Sequence, residues 1–438
     1  MTHTDLRRAV QGRVLLSGDD GFEQASRPWN LSVEQRVAAV VEAAGADDVA
    51  AAVVYARSAG LPVAAQPSGH GASGTADGVI LLRTGGLDEV RVNAEERTAR
   101  VGAGARWGQV LAAAGPHGLT GLAGSSPVVS VTGYTLGGGL SWFGRRHGFA
   151  ADSVRAFDVV TADGERARVT AESDPDLFWA LRGGGGGDFA LVTAVEFDLY
   201  PAPALYGGRV MWPGHRAREV FDAFLEITAE APDELTLWFN RVQFPQAPAM
   251  VGVDAAFLGE EADGRALLAR LDKIGDVIVD KRGPVAVANL GDITAEPTDP
   301  TPGRSRAELL TRLDETAVAP LLEQPVAPLI AVQVRHLGGA LAAERPGAGP
   351  SGPVAEPYLL YMLGAAVNPE LSEAVGARQA AVAGELGGLV SGRKPYTMLA
   401  GGERAEAAFT AEAVARLREI KRARDPQGVL RANFPVLD

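Results

Sequence analysis

The chain of 438 residues contains no cysteine. Disulfides, thiolate metal sites, thiol nucleophiles and cysteinyl links to a cofactor are therefore excluded, and the absence fits a reducing compartment. No uninterrupted apolar stretch approaches the length that spans a bilayer, and the opening Met1-Thr-His-Thr-Asp-Leu-Arg-Arg8 lacks the apolar centre of a signal peptide. A cytoplasmic protein with no membrane partner is expected. Positive charge is short as well: 41 Lys and Arg against 54 Asp and Glu give a net charge of -13. That balance argues against a nucleic-acid partner, because phosphate binding rests on clustered cations.

Glycine is what the sequence has in excess, with 54 residues, many of them in runs within the first 190 positions. The length suits two structural units, one of which can be discontinuous, and 46% hydrophobic with 22% charged residues is an ordinary globular balance.

Periodicity predicts an α+β organisation. An apolar stretch Val37 to Val41, a helix Asp47 to Ala59 stopped by Gly60 and a strand Pro62 to Gln66 come first. Strands follow at Val79 to Leu82, Val90 to Asn93 and Arg97 to Val101, then a helix Trp107 to Ala114. Strands Ala156 to Thr161 and Ala167 to Thr170 flank Ala162-Asp163-Gly164, a tight-hairpin signal, and Val192 to Leu199 is another strand. The prolines of Tyr200-Pro-Ala-Pro-Ala-Leu mark a boundary. Beyond it, helices Ala217 to Glu230, Arg265 to Ile274 and Glu370 to Gly384 alternate with strands Leu235 to Val242, Ala331 to Arg335 and Tyr358 to Leu363, as in an antiparallel sheet with helices on one face. Glu344 to Pro353 reads as a mobile loop, and Thr410 to Arg424 as a last helix ended by Asp425-Pro-Gln-Gly428.

Three glycine-dense segments could bring bare backbone to a ligand: Gln66 to Gly74, Gly124 to Gly139 and Arg182 to Thr193. Successive N–H groups in such loops converge on phosphates, although each segment alone also reads as a turning loop. Gly102-Ala-Gly104-Ala-Arg-Trp-Gly108 misses the dinucleotide fingerprint by one residue and lacks its later acidic partner, so a Rossmann site is rejected; no P-loop occurs. Of His3, His70, His117, His147, His215 and His336, only His70 stands between two glycines in such a loop. A loop histidine is commonly just solvated, but a neutral imidazole is also a competent nucleophile; no metal-ligand pair accompanies it.

Together the segments resemble the berberine-bridge-enzyme-like branch of the vanillyl-alcohol oxidase superfamily, which includes bacterial 6-hydroxynicotine oxidases. The marks are Ser68-Gly-His70-Gly, Val101 to Gly108, His117-Gly-Leu, Gly133-Tyr-Thr-Leu-Gly-Gly-Gly139, His147-Gly-Phe-Ala-Ala-Asp152, Asp176 to Gly183 and Arg416 to Pro426, spread over nearly the whole chain. The resemblance implies a PCMH-type FAD-binding domain in residues 1–200 (about 32–202), an inserted substrate domain of antiparallel sheet covered by helices in 201–395, and a berberine-like tail, 396–438, returning to the FAD domain. It implies FAD attached through its 8α-methyl carbon to His70. Further cofactor contacts are implied at Gln66, Pro67, Ser68, Gly69, Gly71 and Ser73; at Gly124, Ser125, Ser126, Val129, Val131, Thr132, Gly133, Gly137 and Gly138; at Val192; and at Asn433. Where bicovalent relatives place a cysteine, Ser126 precedes Pro127, so the resemblance implies attachment that is single at most. The family's Tyr-x-Asn motif survives only as Tyr396-Thr-Met398, with Tyr396 read either as the base or as a core aromatic. Tyr134 and Thr132 are further candidates at the flavin ring; Trp142 borders the same loop, and Arg335-His336 either points into the site or forms a satisfied strand pair.

An oxidase is the expected function: a small-molecule alcohol, cyclic amine or intermediate of secondary metabolism gives hydride to flavin, and O2 becomes hydrogen peroxide. The alternatives are an oxygenase working through a flavin-oxygen adduct, a non-catalytic flavin or small-molecule binder, and a nicotinamide-using reductase, for which no motif is visible. A homodimer is compatible with the family.

Overall fold

The computed structural model describes residues 3–437, with side chains from Asp5 onward. Near the N-terminus, strands Arg13–Leu15, Ala39–Glu42, Ile80–Arg83 and Val63–Ala65 form a four-stranded sheet in that order, its last three strands parallel. The helix Ala46–Ala59 packs on it through Val49, Ala52, Val53 and Ala56 and ends at Gly60, as its sequence predicts. Asp48 in its first turn is buried and accepts from the backbone N–H groups of Gln11, Gly12 and Ala44 at 2.7, 2.9 and 2.8 Å. One carboxylate thereby satisfies three donors at the sheet's edge.

A second, antiparallel sheet runs in the order Val90–Asn93, Thr98–Gly102, Leu191–Asp198, Val154–Val160 and Arg166–Val169. Asp163-Gly164 turns the last hairpin as expected. Gly102 and Gly104, which imitate a dinucleotide fingerprint, lie against the backbone of Leu87 and Thr84, so their missing side chains serve packing between the two sheets' connections.

Residues 206–365 build the largest sheet. Its order is Val279–Asp280, Tyr206–Pro213, Met250–Phe257, Leu235–Val242, Ala331–His336, Tyr358–Ala365 and Gly303–Leu310, antiparallel throughout, with Gly283–Pro284 also on the Tyr206–Pro213 strand. One face is apolar, with Phe239, Val253, Val334, Leu360 and Met362 packed beneath the helices Ala217–Glu230 and Pro369–Leu386. The opposite face carries polar residues, treated below.

Two expectations are corrected. Arg265 to Ile274 is not one helix: Glu261–Leu267 is helical, and a 3-10 turn follows at Leu271–Lys273. Leu268, Leu271 and Ile274 are all buried, and a spacing of three aligns them on a 3-10 turn rather than on an α-helix. The segment 344–353 is docked rather than free, with Arg182 donating to the Gly347 carbonyl and Ser351 Oγ to the Gly183 carbonyl at 3.2 Å.

The tail is anchored. After the helix Ala411–Arg424, Val63 N–H donates to Val429 O at 2.7 Å and Arg431 N–H to Val63 O at 2.8 Å, so the chain adds to the edge of the first sheet. Buried Asp425 accepts from Val429 and Leu430 N–H and from Lys421 Nζ, each at 2.8 Å. No helix among the described residues is long and apolar enough to cross a membrane.

Candidate active site

The loop that carries His70 is held from several sides. Gln66 exchanges hydrogen bonds with Gln35, and Arg83 donates to Gln66 Oε1 at 3.0 Å and to its carbonyl at 2.9 Å. Gly69 has φ +81°, and a side chain there would press on Pro28, so glycine lets the loop close over that proline. Asn433 of the tail clamps the far side: its amide donates to the Gly71 carbonyl, and its oxygen accepts from Ser73 N–H at 3.0 Å and Ser73 Oγ at 2.9 Å. Asn433, a candidate flavin contact, commits both ends of its amide to the loop.

The imidazole of His70 lies under Trp29, with ring centroids 4.2 Å apart and planes inclined by 16°. Burial, aided by the positive charge of Arg106, pulls its pKa down to about 4. It is neutral at physiological pH. Nδ1 lies 2.8 Å from Ser68 Oγ, whereas Nε2 is buried without a partner. When Nδ1–H donates to Ser68, the lone pair stands on Nε2.

Arg106, whose charge acts on His70, bridges Ser130 of the second glycine segment in a short antiparallel pairing. Val131 N–H donates to Ala105 O and Trp107 N–H to Val129 O. Ser130 caps the short helix Val131–Leu136, accepting from Gly133 N–H at 3.4 Å. Ser126 Oγ, Thr132 Oγ1 and Tyr134 Oη are buried without partners, and nothing stands where a Gly133 side chain would point. Gly124 and Gly139 both face the Tyr134 ring. Ser125 O accepts from Thr294 Oγ1 at 3.4 Å, which brings residues 287–295 over this loop. Val192 lies where the ladder to Val154–Val160 shifts register, a bulge that re-aims its backbone. Pro67 lies in the His70 loop between Gln66 and Ser68.

Tyr396 is elsewhere in character. It stacks on Phe409, meets Phe434 edge-on and donates to the Phe434 carbonyl at 3.4 Å. Burial and nearby Asp188 raise its pKa beyond the ordinary phenol range, as burial does for Tyr134. Neither phenol is set up to take a proton at neutral pH. The third glycine run explains itself through the same residue: Gly185, at φ +92°, sits where any side chain would strike the Tyr396 hydroxyl, while Gly186 and Gly187 meet Leu136 and Ala432. That run packs protein on protein.

Sequence reasoning missed Trp29, Arg83, Gln35 and the polar face of the large sheet. On that face Arg209, Asp254, Trp238 and Arg335 stand directly opposite one another on four neighbouring strands, as do Asn240, Gln333 and Tyr361 on three. Trp238 stacks on Trp142 at 3.8 Å, joining this face to the second glycine segment. Arg335 was visible in the sequence as a strand residue; its neighbours follow only from strand register.

Unpartnered buried polar atoms at His70, Ser126, Thr132 and Tyr134, on the two glycine segments, are what a polar ligand would complete. The residues present fit FAD. Comparison with known proteins agrees: residues 37–170 match the family model described as an FAD binding domain. An FAD-dependent monooxygenase of Fusarium proliferatum is 37% identical over 220 residues, covering 49% of this chain and 42% of that protein. The (R)-6-hydroxynicotine oxidase of Paenarthrobacter nicotinovorans is 29% identical over 293 residues, covering 66% and 63%. Among solved structures, 6-hydroxy-D-nicotine oxidase from Arthrobacter nicotinovorans superposes with a TM-score of 0.85 at 23% identity, covering 100% of this chain and 99% of that one. The berberine-bridge-enzyme-like protein 1 of Physcomitrella patens does so at 0.88 and 18%, covering 100% of both. The chain spans about half the length of the curated relatives it matches. Its fold is that of these solved structures, a PCMH-type FAD-binding portion beside a domain built on an antiparallel sheet.

Proposed function

We propose that the protein is an oxidase of a small-molecule alcohol or amine, with FAD held by a single bond from His70. The observation that carries the attachment is the neutral, partly buried imidazole whose Nε2 has no partner, in a loop pinned by Asn433 and Trp29. His70 would hold FAD through Nε2, the loss of one hydrogen from each partner being balanced by reduction of O2 to hydrogen peroxide. Residues 1–200 and 396–438 hold the cofactor in this reading, and residues 201–395 supply the substrate-facing sheet.

Bound FAD supplies two-electron chemistry, accepting hydride and returning the electrons to O2. The side chains supply position and exclude water. Tyr134, held protonated by burial, donates a hydrogen bond to the substrate's oxygen or nitrogen rather than taking its proton. We assign Thr132 to the ring edge where oxygen reacts, on the strength of its buried, unpartnered hydroxyl. Tyr396 holds the tail in place.

The test is anaerobic mixing of the FAD-loaded protein with candidate alcohols and amines. Bleaching of the oxidised flavin, with one peroxide per product on admitting air, supports the oxidase; a bound flavin that no candidate bleaches points to a binder. An oxygenase is the second reading, favoured by the monooxygenases of Fusarium proliferatum and Cochliobolus heterostrophus at 37% and 36% identity. Turnover under labelled oxygen separates the two, since only an oxygenase places the label in the product.

A further inference from the structure

We propose that Arg335 is the recognition point for an anionic substrate, one that presents a carboxylate or a comparable pair of oxygens to the guanidinium edge. The inference rests on the flavin-dependent reading above and adds the class of molecule that the site takes.

Arg335 is 7% exposed and sits on the polar face of the large sheet. Its guanidinium lies 3.9 Å from the Trp238 ring centroid and 4.9 Å from that of Tyr361. Trp142 stacks on Trp238 at 3.8 Å, and two groups so close to one indole must occupy opposite faces of it. The guanidinium thus touches two aromatic rings, Trp238 and Tyr361, the first of them backed by Trp142. A relay of hydrogen bonds holds its Nε. Arg335 Nε donates to Gln333 Oε1, Gln333 Nε2 to Asn240 Oδ1 at 2.6 Å, and Asn240 Nδ2 to Asp254 Oδ2 at 3.0 Å. Asp254 is fully buried and spends its charge on Arg209, at 2.6 and 2.8 Å.

Two neutral amides thus separate the cation from the nearest carboxylate in the chain of contacts. Among the described residues no carboxylate lies within ion-pair distance of Arg335, and its Nη1 and Nη2 groups make no hydrogen bond. Glu296 and Asp254 act on the guanidinium only through space, and the phenols of Tyr134 and Tyr361 face it. The residue is largely buried, yet its Nη groups are not fully enclosed, so they are open to a ligand. The free Nη edge offers parallel N–H donors, the geometry that matches two oxygens of one planar group. Tyr134, beside this cation, also belongs to the second glycine segment, so an anion on Arg335 places the rest of its molecule beside the flavin site.

The test uses the FAD-loaded protein titrated with benzoate and with benzamide, its neutral counterpart, followed by perturbation of the flavin's visible spectrum. The wild type is expected to bind benzoate about tenfold or more tighter than benzamide, the loss expected for a charge-assisted hydrogen bond. Arg335→Met, which keeps the stack without the charge, is expected to abolish that preference, and Arg335→Lys to restore it in part. FAD content, melting temperature and dithionite reduction are read on the same samples. Equal binding of the two probes by the wild type, no saturable benzoate binding, or an Arg335→Met variant that keeps the preference overturns the proposal. So does a variant in which the flavin's reduction potential moves while the preference stays, because the cation would then serve the cofactor. Failure to bind or reduce FAD at all would instead overturn the flavin-dependent reading.

Discussion

Trp29 lies almost flat on the imidazole of His70, at 4.2 Å between ring centroids. The stack keeps water from the ring, and that exclusion holds the imidazole neutral far below its ordinary pKa of 6.5. Trp29→Ala is expected to let the pKa climb from about 4 toward 6.5 and to slow flavin attachment below about pH 6. Covalently bound flavin, measured after reconstitution across pH 5 to 8 with about unit steps, checks this; an unchanged pH profile contradicts it.

Asn433 joins two segments that are distant in sequence, and its loss frees the Gly71 carbonyl and the Ser73 N–H together. Asn433→Ala should lower stability by about 2 kcal/mol and reduce the attached fraction of FAD. Urea denaturation and the ratio of bound flavin to protein measure the two effects. Equal stability with full attachment would show the clamp to be dispensable.

Tyr396 and Gly185 form a pair in which the glycine makes room for the phenol. Tyr396→Phe forfeits one long hydrogen bond and should cost about 1 kcal/mol or less, with turnover within about twofold of wild type. A large loss of kcat with unchanged stability would restore the tyrosine as base. Gly185→Ala combines a collision with a positive φ, and should cost on the order of 3 kcal/mol in thermal or urea unfolding.

Acid should destabilise the fold through its buried histidines. His70 and His147 are lowered to about 4 and His336 to about 3, each chiefly by burial. The unfolded chain, titrating near 6.5, binds more protons than the native one between those values, so their contribution is complete above pH 6.5 and drains away toward pH 4. Melting temperature should fall with pH across that window, and His147→Gln should make the fall shallower. A variant with the wild-type slope would remove His147 from the account.

What the sequence revealed and what it hid divide along a physical line. The turn at His70 was legible in its glycines, since Gly69 stands at φ +81°, where glycine is favoured. The helices Trp107–Ala114 and Ala217–Glu230 were legible in the same local way, from their apolar stripes. The aromatic contacts of Arg335 were not, since Trp238, Arg335 and Tyr361 meet only once three strands are set in register. Tyr396 stayed open between base and core aromatic because a motif position names the residue, whereas its surroundings, Phe409, Phe434 and Gly185, come only with the fold.

The central claim is that FAD is held by His70 alone. Acid precipitation of the purified protein, followed by proteolysis and peptide mass spectrometry, tests it most directly. The account predicts a yellow pellet and one flavin-bearing peptide, containing His70, with the Ser126 peptide unmodified. Free FAD in the supernatant and an unmodified His70 peptide would contradict it.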